Sequence, residues 1–157
     1  MKKTNAMRML DKANVPYQVK EYKYDESNLS GLHVALDNNL PIELLFKTIV
    51  LKGNKTGFIV VCLQADKEID LKKAAKLSHN KSVEPLHVKD LEKTTGYIRG
   101  GCSPIGMKKT FPVYADSSME GKEKIYISAG LRGLQLVMKP CDLINYCSIT
   151  LGDVVKD

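Results

Sequence analysis

A chain of 157 residues with 43% hydrophobic and 27% charged side chains has the size and mix of one globular domain with a sustainable core, and excludes an intrinsically disordered chain. Twenty-four Lys and Arg against eighteen Asp and Glu leave a formal charge of +6. That balance suits a polyanionic partner, because cationic side chains on phosphates release counterions, although it also serves plain solubility. No run approaches the ~20 apolar residues of a membrane span. No signal-peptide stretch follows Met-Lys-Lys-Thr-Asn-Ala-Met-Arg either, so a cytosolic protein is expected.

In chain order, residues 3 to 14 form a first predicted helix, capped by Thr4 or Asn5, with Ala6, Met9, Leu10 and Ala13 on one face and Pro16 after it. Tyr17 to Tyr24 reads as a strand whose inward parity changes near Lys20 and Glu21, which predicts a bulge or bend. A short helix is expected over 31 to 38. Thr48–Leu51 and Phe58–Leu63 are β-rich runs around Lys52-Gly53-Asn54-Lys55-Thr56-Gly57, the pattern of a hairpin. Asp70 caps an amphipathic helix through Lys76, and Val88–Thr94 is another helix. Phe111–Ala115, Lys124–Ser128 and Leu134–Met138 read as strands, and Pro140 opens a last helix through Ile144. Helices interleaved with mostly antiparallel strands, without a regular βαβ period, predict a single mixed α/β domain spanning 1–157, with one central sheet or barrel.

The usual catalytic patterns are missing. His33, His79 and His87 have no nucleophile elbow or metal motif beside them and read as surface or helix-end residues. The four cysteines, Cys62, Cys102, Cys141 and Cys147, make no CxxC pair and find no His at zinc spacing. No metal, cofactor or disulfide framework is therefore expected. Cys102 alone, inside a glycine-rich turn, raises the question of a nucleophile.

Three segments carry unusual residue choices. In Phe46-Lys47-Thr48 a lysine abuts an apolar strand, where it either snorkels to water or presents a fixed cation to a cleft. The stretch Thr95-Gly96-Tyr97-Ile98-Arg99-Gly100-Gly101-Cys102-Ser103-Pro104-Ile105-Gly106 has adjacent glycines that let backbone approach a ligand, or simply make a tight loop. Ser128-Ala129-Gly130-Leu131-Arg132-Gly133 is a small-residue turn with an arginine.

Taken together and in order, these segments resemble the YbaK/EbsC family, which is related to the editing domain inserted in bacterial prolyl-tRNA synthetases. The resemblance also covers Lys3-Thr4-Asn5-Ala6-Met7-Arg8, Leu71-Lys72-Lys73-Ala74-Ala75-Lys76 and Ile125-Tyr126-Ile127-Ser128-Ala129-Gly130, nearly the whole chain. It implies a trans-editing aminoacyl-tRNA deacylase acting on Cys-tRNA(Pro), with mischarged tRNA as partner and prolyl-tRNA synthetase as a possible second one. It also implies catalytic roles for Lys47, Gly100 and Gly101, and substrate contacts from Tyr22, Thr48, Ser103 and Ser128. In the chemistry it implies, the substrate's own thiol attacks its ester, so no protein nucleophile is needed. Two alternatives are a water-using deacylase for Ala-tRNA(Pro) or another small mischarged residue, and a non-catalytic module that binds tRNA or synthetase. Cys102 stands where relatives carry an aliphatic residue, and Leu131 where a basic one is common.

Overall fold

The structure is a computed structural model that describes residues 2–157. In chain order it runs α1 (Asn5–Lys12), β1 (Gln18–Glu21), α2 (Gly31–Asn38), β2 (Phe46–Gly53), β3 (Gly57–Gln64) and α3 (Leu71–Leu77). Then follow β4 (Val83–Pro85), α4 (Val88–Thr95), β5 (Val113–Asp116), β6 (Ile125–Leu131), β7 (Leu134–Met138), α5 (Pro140–Cys147) and β8 (Thr150–Gly152).

Local chemistry explains most boundaries. The Thr4 hydroxyl accepts the Met7 N–H at 3.2 Å and starts α1, while the Asp70 carboxylate accepts the Lys73 N–H at 3.0 Å and starts α3. Because α1 ends at Lys12, only two turns remain, and its buried face is Ala6, Met7 and Leu10. Met9 stays 37% exposed and Ala13 lies outside the helix, which corrects the face expected from a longer one.

The strands divide between two sheets rather than closing into one sheet or barrel. One is antiparallel, in the order β1-β7-β6. The other, β4-β2-β3-β5-β8, is mixed: β2 runs antiparallel to β3 and β4, whereas β3 with β5 and β5 with β8 are parallel. Both parallel pairs join strands separated by long crossovers, as parallel pairing requires. A parallel bridge between Leu45 and Tyr126 links the sheets.

Strand β3 is the spine of the core, and its alternation shows why. Val60 and Cys62 pack with α1, β6, β7 and α5, while Ile59, Val61 and Leu63 pack with Ala74 and Ala75 of α3. Each such aliphatic side chain contributes about 1.5–3 kcal/mol by leaving water.

The hairpin turn before β3 is tied down by Asn80. Its amide oxygen accepts the N–H groups of Lys55 and Thr56 at 2.9 and 3.1 Å, and its nitrogen donates to Thr56 Oγ1 and Ser78 Oγ at 3.0 and 2.9 Å. Gly53 must be glycine there, since a Cβ would come within 2.4 Å of the Asn80 amide.

Candidate active site

Where the sheets meet, a cavity of about 450 Å³ opens, within the ~300–1,000 Å³ of small-ligand sites. Its lining includes Lys47 and Thr48 at the start of β2, Ser128 of β6 and Gln135 of β7. Tyr22, just past β1, and Gly100 close one side, and Gly31 and Val34 of α2 cover another. A larger hollow of about 670 Å³ lies beside α1 and α5, but Lys109 is the single charged residue in its lining, and none of Tyr22, Lys47, Thr48, Gly100, Gly101, Ser103 and Ser128 reaches it. Chemistry converges on the smaller cavity.

Lys47 is half-buried, and its ammonium donates to the Lys67 carbonyl at 2.5 Å. Burial pushes its pKa below the usual lysine range, and the nearby Asp66 and Glu68 carboxylates oppose that shift. A partly dehydrated cation acts more strongly on a developing negative charge than one in bulk water. The Tyr22 hydroxyl donates to the Gly100 carbonyl at 3.4 Å. Burial pushes that phenol above its usual value, so it remains an O–H donor at neutral pH.

The glycine turn has two unlike members. Gly100 adopts φ +84°, a left-handed conformation that L side chains rarely adopt, and a Cβ there would lie 3.3 Å from Arg132 Nε and from Leu29 Cδ1. Its backbone lines the cavity. Gly101 is buried behind it, with its N–H donated to the Ile98 carbonyl at 2.9 Å, and a Cβ there would lie 3.1 Å from the Arg132 backbone nitrogen.

Ser103 is fully buried outside the cavity lining, and its hydroxyl accepts the Ile105 N–H at 3.2 Å. Ser128 lines the cavity while its hydroxyl accepts the Gly130 N–H at 3.1 Å, and Thr48 Oγ1 lies 3.8 Å from Cys62 Sγ. The structure thus brings Tyr22, Lys47, Thr48, Gly100 and Ser128 together around one space and sets Gly101 and Ser103 in the shell that supports the turn. Cys102 does reach the cavity, but burial pushes its thiol up to about 12, with the Thr95 hydroxyl opposing, so it is protonated at neutral pH. The histidines lie elsewhere: His33 Nε2 pairs with Asp37 at 3.0 Å within α2, His79 follows α3 at φ 63°, and His87 precedes α4.

Gln135 is the residue that motif reading missed. It is buried on β7, in register between Lys20 of β1 and Ser128 of β6, and lines the cavity. Its Oε1 is the one buried side-chain oxygen or nitrogen among the described residues with no hydrogen-bond partner. Such an orphan costs about 1–3 kcal/mol, which a ligand's donor can offset. A signal was present, since Gln135 stands alone as a polar residue in Leu134-Gln135-Leu136-Val137-Met138.

The chain belongs to the aminoacyl-tRNA editing domain family, whose profile matches residues 32–146. A provisionally named Cys-tRNA(Pro)/Cys-tRNA(Cys) deacylase, EbsC, of Enterococcus faecalis is 51% identical over 138 residues, covering 88% of this chain and 84% of that protein. A proline–tRNA ligase of Sulfurihydrogenibium sp. is 31% identical over 91 residues, 58% of this chain but 16% of the ligase. A solved structure, a provisionally named trans-editing enzyme for prolyl tRNA synthetase, superposes with TM-score 0.83 at 19% identity over the whole of both chains. The family resemblance read from the motifs therefore holds, and the mixed α/β fold is shared. Among the described residues, no helix is long and apolar enough to cross a membrane.

Proposed function

We propose that this protein is a trans-editing deacylase, one domain over residues 1–157, that removes cysteine from mischarged Cys-tRNA(Pro) in the cytoplasm, alone or beside prolyl-tRNA synthetase. The observation that carries this reading is a cavity with a half-buried cation and no activated nucleophile of its own. Lys47 supplies the charge, while the Cys102 thiol is held protonated and the Ser128 hydroxyl has no histidine beside it. The name of the 51% identical relative supports cysteinyl-tRNA as substrate.

In this mechanism the substrate brings the nucleophile. Its thiol, with an ordinary pKa of about 8.5, loses a proton to solvent, and the thiolate attacks the ester carbonyl carbon. The C–S bond forms, negative charge develops on the carbonyl oxygen, and the carbon–oxygen bond to the ribose breaks. Cysteine leaves as a cyclic thiolactone, and the ribose oxygen takes up a proton to give free tRNA. Sulfur and carbonyl already belong to one molecule, so no second reactant has to be captured, and the pocket has only to hold the cysteinyl group in its reacting rotamer. Lys47 stabilises the developing oxyanion, Tyr22 and Thr48 orient the ester, Gly100 lets the ribose approach the backbone, and the Gln135 carbonyl accepts the substrate's α-ammonium. Gly101 and Ser103 hold the turn in shape. Proline and alanine esters are spared because they have no thiol.

The test is ester loss from Cys-tRNA(Pro), Ala-tRNA(Pro) and Cys-tRNA(Cys), with Lys47→Ala run beside the wild type. Rapid loss restricted to cysteinyl esters, and abolished in the variant, is expected. Loss of the alanyl ester alone would overturn the thiol mechanism in favour of water. Binding without cleavage, even with prolyl-tRNA synthetase added, would mean a non-catalytic module.

A further inference from the structure

The cavity has room for one aminoacylated nucleoside, so the chain of an RNA substrate must leave through its mouth. Arg99 stands there, and Arg132, outside the lining, lies beside it and Gly100. Arg99 lines the cavity and is exposed, and Arg132 Nε donates to the Arg99 carbonyl at 2.8 Å, which fixes the two residues side by side across the Gly100 turn. Arg132 is also close enough to Tyr22 to draw its phenol pKa back down against the larger effect of burial. Among the described residues, neither guanidinium has a carboxylate at ion-pair distance, whereas Lys3, Lys73, Lys93 and Lys156 all do. Each arginine is preceded by a large apolar residue left in solvent, Ile98 at 42% and Leu131 at 54% exposure. Unpaired guanidinium forks match phosphate oxygens bidentately, and exposed aliphatic surface beside them suits the flat face of a base.

We propose that Arg99 and Arg132 form a phosphate clamp at the cavity mouth, gripping the internucleotide phosphate that precedes the terminal adenosine of the tRNA 3′ end. The proposal rests on the deacylase reading for the identity of the RNA. It assigns the arginines to binding the strand and leaves the bond-breaking step to the cavity. Arg132 has the additional task of holding the glycine turn through the Arg99 carbonyl, which makes Arg99 the cleaner probe.

The experiment has two arms. In the first, uncharged tRNA(Pro) is titrated against wild type, Arg99→Gln, Arg99→Lys and Arg132→Gln across a salt series. The glutamine variants are expected to bind about five- to tenfold more weakly, with the slope of log affinity against log salt reduced by about 0.7, the value for one phosphate of a single strand. Arg99→Lys restores the slope because it restores the charge. In the second arm, cleavage of Cys-tRNA(Pro) is compared with cleavage of the cysteinyl ester of adenosine, which has no phosphate. Arg99→Gln should lose at least five times more kcat/KM on the tRNA than on the nucleoside ester, with the difference in KM. Wild-type affinity and slope in Arg99→Gln, equal losses on both substrates, or no tRNA binding by the wild type would each overturn the clamp. Wild-type cleavage with an unchanged Arg99→Gln slope removes the clamp and keeps the deacylase. A lowered slope without any cleavage keeps the clamp and removes the deacylase.

Discussion

The hairpin lobe and the seam between the sheets are built to opposite rules. In the lobe, β2, β3 and α3 enclose aliphatic side chains, and every polar bond of Asn80 is made. At the seam, Lys47 is a half-buried cation, the Gln135 carbonyl has no partner, and Gly100 is held at positive φ. The turn end of the lobe carries no site residue; the seam, where β2 begins, holds groups whose best partner is a ligand. Among the described residues, the one buried side-chain oxygen or nitrogen without a partner lines the cavity, and that marks the site.

Substitutions on either side should break or confirm that division. The largest effect is expected from Lys47→Ala, which should lower kcat for ester cleavage by about 10²–10³-fold, as removal of one oxyanion partner does elsewhere. Lys47→Met should lose activity alike, yet melt no lower than wild type. The lysine pKa is depressed, so its charged form is penalised by folding at every pH below the folded-state value, and the methionine removes that penalty. Next, Asn80→Ala should cost about 2–4 kcal/mol of stability by urea denaturation, since four bonds go and two backbone donors lose their partner. Its activity, measured well below the melting temperature, should stay near wild type. Gln135→Leu is the counterpart at the seam: about 1–2 kcal/mol more stable in the same assay, but with KM for the cysteinyl ester raised. A destabilised Gln135→Leu would mean that the orphan carbonyl is satisfied in solution and that the comparison fails there.

Cys102→Ala tests chemistry rather than packing, and cleavage should persist within a few-fold, whereas removal of a true nucleophile costs several orders of magnitude. The smallest effect belongs to the C-terminal tie, where Lys73 bonds Asp153 at 3.0 Å and holds its carboxyl below the usual carboxylate range. A depressed folded pKa means that the contribution is complete above the ordinary value of 3.8 and is lost as pH falls through the folded value. The melting-temperature difference between wild type and Asp153→Asn should therefore be small at pH 7 and shrink as pH falls below 3.8.

Local chemistry was the legible part of the sequence. The helix at Gly31–Asn38, the strand Leu134–Met138, the hairpin around Gly53 and the Asp70 cap all follow from caps, turn residues and apolar spacing. Strands β4 and β8 did not, because three residues are too few to show an alternation. Nor did the parallel pairing of β5 and β8, which long crossovers decide and no local pattern encodes. At the site, Lys47 and Gly100 were found through motifs, but the motif could not say that Gly101 turns its N–H to Ile98 or that Ser103 faces Ile105. Those are matters of backbone direction, set by the Arg132 turn approaching from another part of the chain.

The cavity's walls come from residues as far apart as Tyr22 and Gln135, and from both sheets. While the hairpin β2–β3 can form from neighbours in sequence, the cavity has no precursor: it exists only once β7 has paired with both β1 and β6. Non-local closure of that kind carries a loop-closure cost that a local hairpin does not. A chain still emerging from the ribosome, with its lysine already made but β7 not yet placed, has no pocket in which to cut the esters of the tRNAs around it.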